Sequence, residues 1–205
     1  MKIYVVILIS FLLSNIMFYL LGFKKNKNVK KSIAELYKSK LSIFEIAVFV
    51  VINSFLYHYT DNLKMFFIRT TLISLLFLIS IIDIRKKIIH DSILYILFIL
   101  GIVNMFINKN MNHKTCLISF VVIGILMVAI SKITKGGMGL GDAKLLAILA
   151  LWLDMYGIIS VCLLASFLTG FVGAIFLIID IKNKNREIPF SPFISIAVFL
   201  VFIMS

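Results

Sequence analysis

Proline, cysteine and acidic residues are scarce in this chain of 205 residues, which has two prolines, two cysteines and nine acidic residues against 21 basic ones. This scarcity, with 62% hydrophobic residues and a mean hydropathy of +1.12, excludes a soluble globular protein. Cys116 and Cys162 each lie inside an apolar run, outside any Cys-x-x-Cys spacing, which excludes a disulfide framework and a zinc site. The composition therefore predicts an integral membrane protein.

The formal net charge of +12 comes from basic residues that lie between the apolar segments. Because they are not gathered on one soluble face, we expect no nucleic-acid partner. The lysine-rich segment between residues 24 and 40 is typical of a loop that sets topology and contacts membrane lipids, anionic ones included.

Eight apolar segments approach the roughly 20 residues that a helix needs to cross a bilayer core. They cover residues 3–23, 41–59, 65–84, 92–107, 115–133, 138–153, 156–180 and 190–204. No soluble domain fits between them, and strands have no room to close a barrel. We therefore predict an all-α polytopic membrane protein of about eight transmembrane helices, which forms a single domain over residues 1–205.

The basic residues concentrate in the first, third, fifth and seventh loops between these segments. By the positive-inside rule these loops are cytoplasmic, and both termini point outward. Asp83 ends the third segment and Asp142 begins the sixth. The two acids are therefore predicted on the same, cytoplasmic, side of the membrane.

Asp142 follows a run of glycines that includes Gly139 and Gly141, between two apolar segments. An ionisable residue beside hydrocarbon is costly and mainly faces protein or water. If a straight helix ran from Asp142 to the turn at Asp154, Asp142 would lie about 18 Å below the outer membrane boundary, inside the bundle. The glycines would then let irregular, close-packed backbone enter the membrane.

Two carboxylates that face each other across a water can share one proton. The ionised member activates the water, and the protonated member polarises a peptide carbonyl. Each acid also has a structural alternative. Asp83 could be a solvated helix-end residue paired with Lys86 or Lys87, and Asp142 could be the N-cap of the sixth helix.

Three motifs surround these acids and follow them in order. They read IDIRKKIIHD from Ile82 to Asp91, GLGDAKLLA from Gly139 to Ala147, and IPFSPF from Ile188 to Phe193. Together they resemble the type IV prepilin peptidase family of membrane aspartyl peptidases. Looser matches lie in the first two segments, at Ser10-Phe11, Asn15-Ile16 and Phe44-Glu45-Ile46. A Gly-x-Gly-Asp motif alone also occurs in other intramembrane aspartyl proteases, but the ordered set is specific.

The resemblance implies a multi-pass endopeptidase of the bacterial cytoplasmic membrane. It would remove short basic leader peptides from prepilins or pseudopilins at the cytoplasmic face, without a metal or other cofactor. The resemblance assigns the catalytic pair to Asp83 and Asp142. It adds supporting motif residues at Gly139, Gly141, Arg85 and Lys144. The two cations among them would help to keep one carboxylate ionised.

Glu45 matches a family glutamate near the cytoplasmic end of the second segment. It is a candidate for binding the basic leader or the free amine, and a helix-end residue that snorkels or is hydrogen-bonded is the alternative. The cytoplasmic face is strongly basic, so it would repel a basic leader unless a nearby acidic side chain binds the leader. The candidates for that role are Glu45, Asp91, Asp180 and Glu187.

The chain departs from the family at three places. His90 stands where the family usually has proline, and Ser191 where it usually has glycine; neither is expected to carry the chemistry. The first loop holds no cysteine, whereas bifunctional members insert a domain with two Cys-x-x-Cys pairs there and also methylate the new N-terminus. This difference argues against methyltransferase activity.

Two other classes of function compete with the peptidase. A metal-dependent lipid head-group enzyme would use Asp83 and Asp142 as magnesium ligands, but no Asp-x-x-x-Asp pattern lies on one helix. A non-enzymatic transporter or assembly scaffold would use paired acids to relay protons or cations. The chain is short and its sequence shows no inverted repeat, which argues against a transporter.

Overall fold

The computed structural model describes residues 51–60, 62–108, 111–134, 137–179 and 188–204. These residues form helices and connecting turns without a strand, which confirms the all-α class for this part of the chain. The first predicted segment, the lysine-rich loop, Glu45, Asp180 and Glu187 lie outside the described residues.

Six helices have both ends within the described residues. They are α1 (Leu63–Lys86), α2 (Asp91–Ile107), α3 (His113–Ile133), α4 (Leu140–Leu149), α5 (Met155–Ile179) and α6 (Ser191–Met204). Residues 51–58, within the second predicted segment, are helical as well.

Among the described helices, α1, α3 and α5 are long and apolar enough to cross a membrane. They coincide with the segments predicted at 65–84, 115–133 and 156–180. Helices α2 and α6 are apolar but shorter, with 17 and 14 residues. A multi-pass helical membrane protein follows from these lengths and compositions, while eight crossings and outward termini stay predictions.

The chain divides into two compact units, Met1–Leu78 and Ile79–Ser205. In the described part of the first unit, the rings of Tyr57 and Phe66 meet edge to face with their centroids 5.5 Å apart. Leu56 and Phe66 are fully buried. An edge-to-face pair of rings adds stabilisation beyond that expected from the apolar area it removes from solvent.

Helix α4 is the most buried helix of the second unit. Ala143 and every residue from Leu145 to Leu149 are buried, as expected for a helix whose second half is apolar on all sides. It packs on α3 and on α2, whereas α5 packs on α6. The motif residues at the N-terminal end of α4 therefore belong to a helix that packs on two neighbouring helices.

Helix α4 is shorter than the segment predicted at 138–153, because it ends at Leu149. The next residues continue with i to i−3 hydrogen bonds, from Ala150 N to Ala147 O and from Leu151 N to Ile148 O. Asp154 then accepts a hydrogen bond at Oδ1 from Gly157 N at 2.7 Å, in the turn that opens α5. The straight helix assumed in the depth estimate for Asp142 was therefore wrong.

The single tryptophan of the chain, Trp152, joins the end of this turn to α2. Its Nε1 donates a hydrogen bond to Leu97 O at 3.0 Å, and Asn104 Nδ2 donates to Trp152 O at 3.4 Å. The indole lies against Gly101, where a Cβ atom would come within 2.8 Å of Nε1. The glycine makes room for the ring.

We expect Gly101→Ala to destabilise the protein by about 1–3 kcal/mol, because overpacking would displace the indole from its hydrogen bond. Thermal unfolding in detergent, followed by the fluorescence of Trp152, measures this effect. Gly124→Ala is the matched control, since its Cβ would lie 3.4 Å from Ala147 Cβ. Equal melting temperatures for the two variants would contradict the packing described here.

Candidate active site

Asp83 lies in the last turn of α1 with only 6% of its surface exposed. Its Oδ2 accepts two hydrogen bonds from Ser191, one from the hydroxyl at 2.6 Å and one from the backbone N–H at 3.2 Å. Ser191 is the first residue of α6, and the N–H groups of a first helical turn have no partner within the helix. The carboxylate occupies that N-terminus, where a negative charge is favoured. The burial of Asp83 therefore argues against the alternative in which it is a solvated residue at a helix end.

Two further serines hold Ser191 in place. Its carbonyl accepts hydrogen bonds from Ser195 Oγ at 3.0 Å and from Ser80 Oγ at 3.2 Å. The hydroxyls of Ser80 and Ser195 are themselves 2.6 Å apart. This cluster ties the start of α6 to α1, one turn before Asp83.

Asp142 lies in the first turn of α4, and Gly139, not Asp142, is the N-cap. Oδ1 of Asp142 is buried without a hydrogen-bond partner among the described residues. Its Oδ2 lies 2.9 Å from the point where a Cβ atom on Gly139 would stand. Gly139 thus leaves the space that this carboxyl group fills.

The other motif residues near Asp142 contact the turn between α1 and α2 and the first residue of α2. A Cβ atom on Gly141 would lie 3.0 Å from Ile89 Cβ. Lys144 Nζ is 2.7 Å from Asp91 Oδ1, and these side chains are 53% and 76% exposed. Gly141 therefore provides a close approach between α4 and this turn, and Lys144 pairs with an acid other than Asp142.

A cavity of about 670 Å³ brings Asp83 and Asp142 together on its wall. The charge of Asp83 acts on Asp142. Gly139 also lines this cavity, but Gly141, Arg85, Asp91 and Lys144 are not among its described lining residues. Glu45 and Glu187 lie outside the described residues.

The remaining walls of the cavity come from three further parts of the chain. Met127 and Ile130 of α3 supply apolar surface, and the segment 188–190 precedes α6. Helix α5 supplies small and hydroxyl-bearing residues at positions 166, 169 and 170. The two acids thus face a space that is partly polar and large enough for an extended peptide segment.

Lys87 is a lining residue whose place in the site is not evident from the sequence. It follows the last residue of α1, has a φ of 53°, and donates its backbone N–H to Asp83 O at 2.7 Å. A non-glycine residue in this left-handed region costs about 1–2 kcal/mol. The helix end therefore carries a strained lysine beside Asp83.

Ser191 is the second residue whose role in the site was missed. It was expected to lie outside the chemistry, yet it contacts Asp83 through two hydrogen bonds. Its position between two prolines at the start of an apolar segment was the available signal. That position places a hydroxyl and an unpaired N–H together at a helix N-terminus.

His90 replaces proline without changing the backbone that proline requires. It is the N-cap of α2 with a φ of −77°, which lies within the range of a proline ring. Burial lowers the pKa of His90, the charge of Lys86 lowers it further, and the charge of Asp91 opposes them. The imidazole is therefore neutral at pH 7.

Two carboxyl groups on one cavity wall can divide the roles of base and acid toward a bound water and an amide. Such a pair titrates as a unit, so each proton belongs to the pair. Within the described residues, no group of three or more histidine, cysteine or acidic side chains could hold a metal ion.

Residues 70–175 match the model of the type IV leader peptidase family, and this range includes both aspartates. A prepilin leader peptidase/N-methyltransferase of Xanthomonas campestris pv. campestris is 33% identical over 126 residues, which are 59% of this chain and 44% of that protein. One from Legionella pneumophila is 29% identical over 131 residues, 62% of this chain and 44% of that protein.

A shorter match to a protein of the same name from Aeromonas hydrophila is 40% identical over 63 residues, 31% of this chain and 22% of that protein. The chain therefore spans less than half the length of the curated relatives that it matches. No solved structure matches it.

Proposed function

The chain belongs to the type IV leader peptidase family, and on this basis we propose that it is a membrane aspartyl endopeptidase. Its proposed substrates are prepilins or pseudopilins, from which it removes the basic leader peptide. The observation that supports the proposal is the cavity that Asp83 and Asp142 share; the motif resemblance suggests these two acids as the catalytic pair.

In the proposed reaction a water lies between the two carboxyl groups and the scissile peptide carbonyl. The ionised carboxylate accepts a proton from the water while the water oxygen bonds to the carbonyl carbon. The protonated carboxyl group gives its proton to the carbonyl oxygen. When the tetrahedral intermediate breaks its C–N bond, the leaving amine takes up the proton that the first carboxyl group had accepted. A hydroxyl group of the intermediate returns its proton to the second carboxylate, which restores the carbonyl and the starting state of the pair. No metal ion is required in these steps.

We further propose that the enzyme lies in the bacterial cytoplasmic membrane with its cavity toward the cytoplasm. The charge distribution of the loops supports this orientation. Lipid contacts are supported by the exposed apolar side chains of α5, such as Leu163, Phe167 and Phe171. Anionic lipids would complement the basic loops.

Glu45, Asp91 and Glu187 are the proposed acids for binding the basic leader. Asp91 is supported by its exposure, although it shares its charge with Lys144. Arg85 and Lys144 are proposed to act on the pair only through their charge. Methylation of the new N-terminus is not part of the proposal, because the first predicted loop holds no cysteine.

We expect Asp83→Asn and Asp142→Asn each to reduce cleavage of a prepilin-like peptide by roughly a thousandfold or more, because either change removes one of the two proton-transfer groups. The purified full chain in detergent is incubated with the peptide, and the products are measured by mass spectrometry. Cleavage by both variants at the parent rate would refute the dyad.

Two controls accompany this assay. Addition of a chelator should leave the parent rate unchanged, whereas a lipid head-group enzyme with a magnesium site would lose activity. S-adenosylmethionine is added to a parallel reaction, and the product should carry no additional methyl group.

We expect Gly139→Ala to lower kcat by roughly 100-fold, because the new methyl group would displace the carboxyl group of Asp142 by about an ångström. Its Cβ would stand 2.9 Å from Oδ2 of Asp142. Gly173→Ala is the matched control, since its Cβ would make an ordinary 3.5 Å contact with Ile188 Cδ1. Equal kcat values for these two variants, with both folded, would count against the geometry.

A further inference from the structure

The two carboxyl groups of the cavity have unequal environments. Oδ2 of Asp83 accepts two hydrogen bonds from Ser191, whereas Oδ1 of Asp142 is buried without a partner among the described residues. Donors aimed at a carboxylate favour its ionised form. A buried oxygen without a donor is less costly on a neutral carboxyl group than on a charged one.

We propose that Ser191 is a positioning residue that fixes Asp83 as the ionised, water-activating member of the pair, which leaves Asp142 as the protonated member. This inference rests on the proposed peptidase function and deepens it. The carboxylate of Asp83 takes the proton of the attacking water. Asp142 gives its proton to the carbonyl oxygen of the scissile amide.

The position of Ser191 is determined by more than its contact with Asp83. Its side chain is fully buried, and its carbonyl is held by the hydroxyls of Ser80 and Ser195. Its hydroxyl and backbone N–H converge on one oxygen, Oδ2. Oδ2 is thereby committed to these two donors, and Oδ1 is the oxygen that we assign to the attacking water.

Few other charges act on Asp83 from the cavity. Among the described lining residues, the other charged groups are Lys87, at the end of the same helix, and Asp142, on α4. The described lining residues of α3 and α5, and those preceding α6, are apolar, hydroxyl-bearing or glycine. The hydroxyl of Ser191 can therefore be removed without altering a neighbouring charge.

The experiment measures the pH dependence of kcat/KM for cleavage of a prepilin-like peptide by the full chain in detergent. In Ser191→Ala the acid limb should move about one pH unit upward, because the carboxylate loses a charge-assisted hydrogen bond. Both limbs belong to the coupled pair, but the alkaline limb should move less, because the hydroxyl of Ser191 donates to Asp83. Ser191→Gly should behave in the same way, since it keeps the N–H and also lacks the hydroxyl.

Ser119→Ala is the matched control. Ser119 is also fully buried, and its hydroxyl donates only within its own helix, to Thr115 O at 2.7 Å. Its pH profile should coincide with that of the parent. An equal shift in Ser119→Ala would reduce Ser191 to a structural role.

An unchanged acid limb in both Ser191 variants, or a shift confined to the alkaline limb, would overturn the assignment of Asp83 as the base. Failure of the inference is separable from failure of the proposed function. If the parent chain does not cleave the peptide, the proposed peptidase function is refuted. If cleavage requires Asp83 but is unaffected by the Ser191 variants, only the inference about Ser191 is refuted.

Discussion

The hydrogen bonds from Ser191 to Asp83 are the interaction on which the rest of the site depends. A carboxylate inside an apolar bundle is costly unless protein donors replace the water that it loses. Here the N-terminus of α6 supplies both donors, so the last turn of α1 and the first turn of α6 must stay together. The serine cluster of Ser80, Ser191 and Ser195 strengthens the same joint. One contact thereby joins two helices and supplies hydrogen-bond donors to a buried carboxyl group.

The second acid depends on a different physical constraint, which is space. Asp142 lies in the first turn of a largely buried helix, and its carboxyl group fits there only because Gly139 has no side chain. Gly141 allows the same helix to contact the turn at Ile89. The two glycines thus have separate tasks, one toward the carboxyl group and the other toward the neighbouring turn.

Hydrophobic pattern was sufficient to predict the helical class and the positions of α1, α3 and α5. Length and composition dominate these features, and both are visible in one sequence. The catalytic pairing of Asp83 with Asp142 is implied by the family resemblance and stays a proposal, although both residues line one cavity. The end of α4 at Leu149 was missed, because an apolar run does not reveal where hydrogen bonding tightens to i−3. Ser191 was missed because a hydroxyl at a helix start acquires its role only from the residue that packs against it, 108 positions away. Lys87 was considered only as a pairing partner of Asp83, because its φ of 53° is a backbone property that composition does not report.

The central claim is that Asp83 and Asp142 act together on the attacking water and the scissile peptide carbonyl. Its most direct test is the affinity for a leader peptide in which a hydroxyethylene group replaces the scissile amide, because such mimics of the transition state bind through the catalytic groups. Calorimetry with the full chain should give tight binding to the parent and at least about 100-fold weaker binding to both Asp83→Ala and Asp142→Ala. Equal affinity for the parent and either variant would contradict the claim that the two aspartates form one catalytic unit.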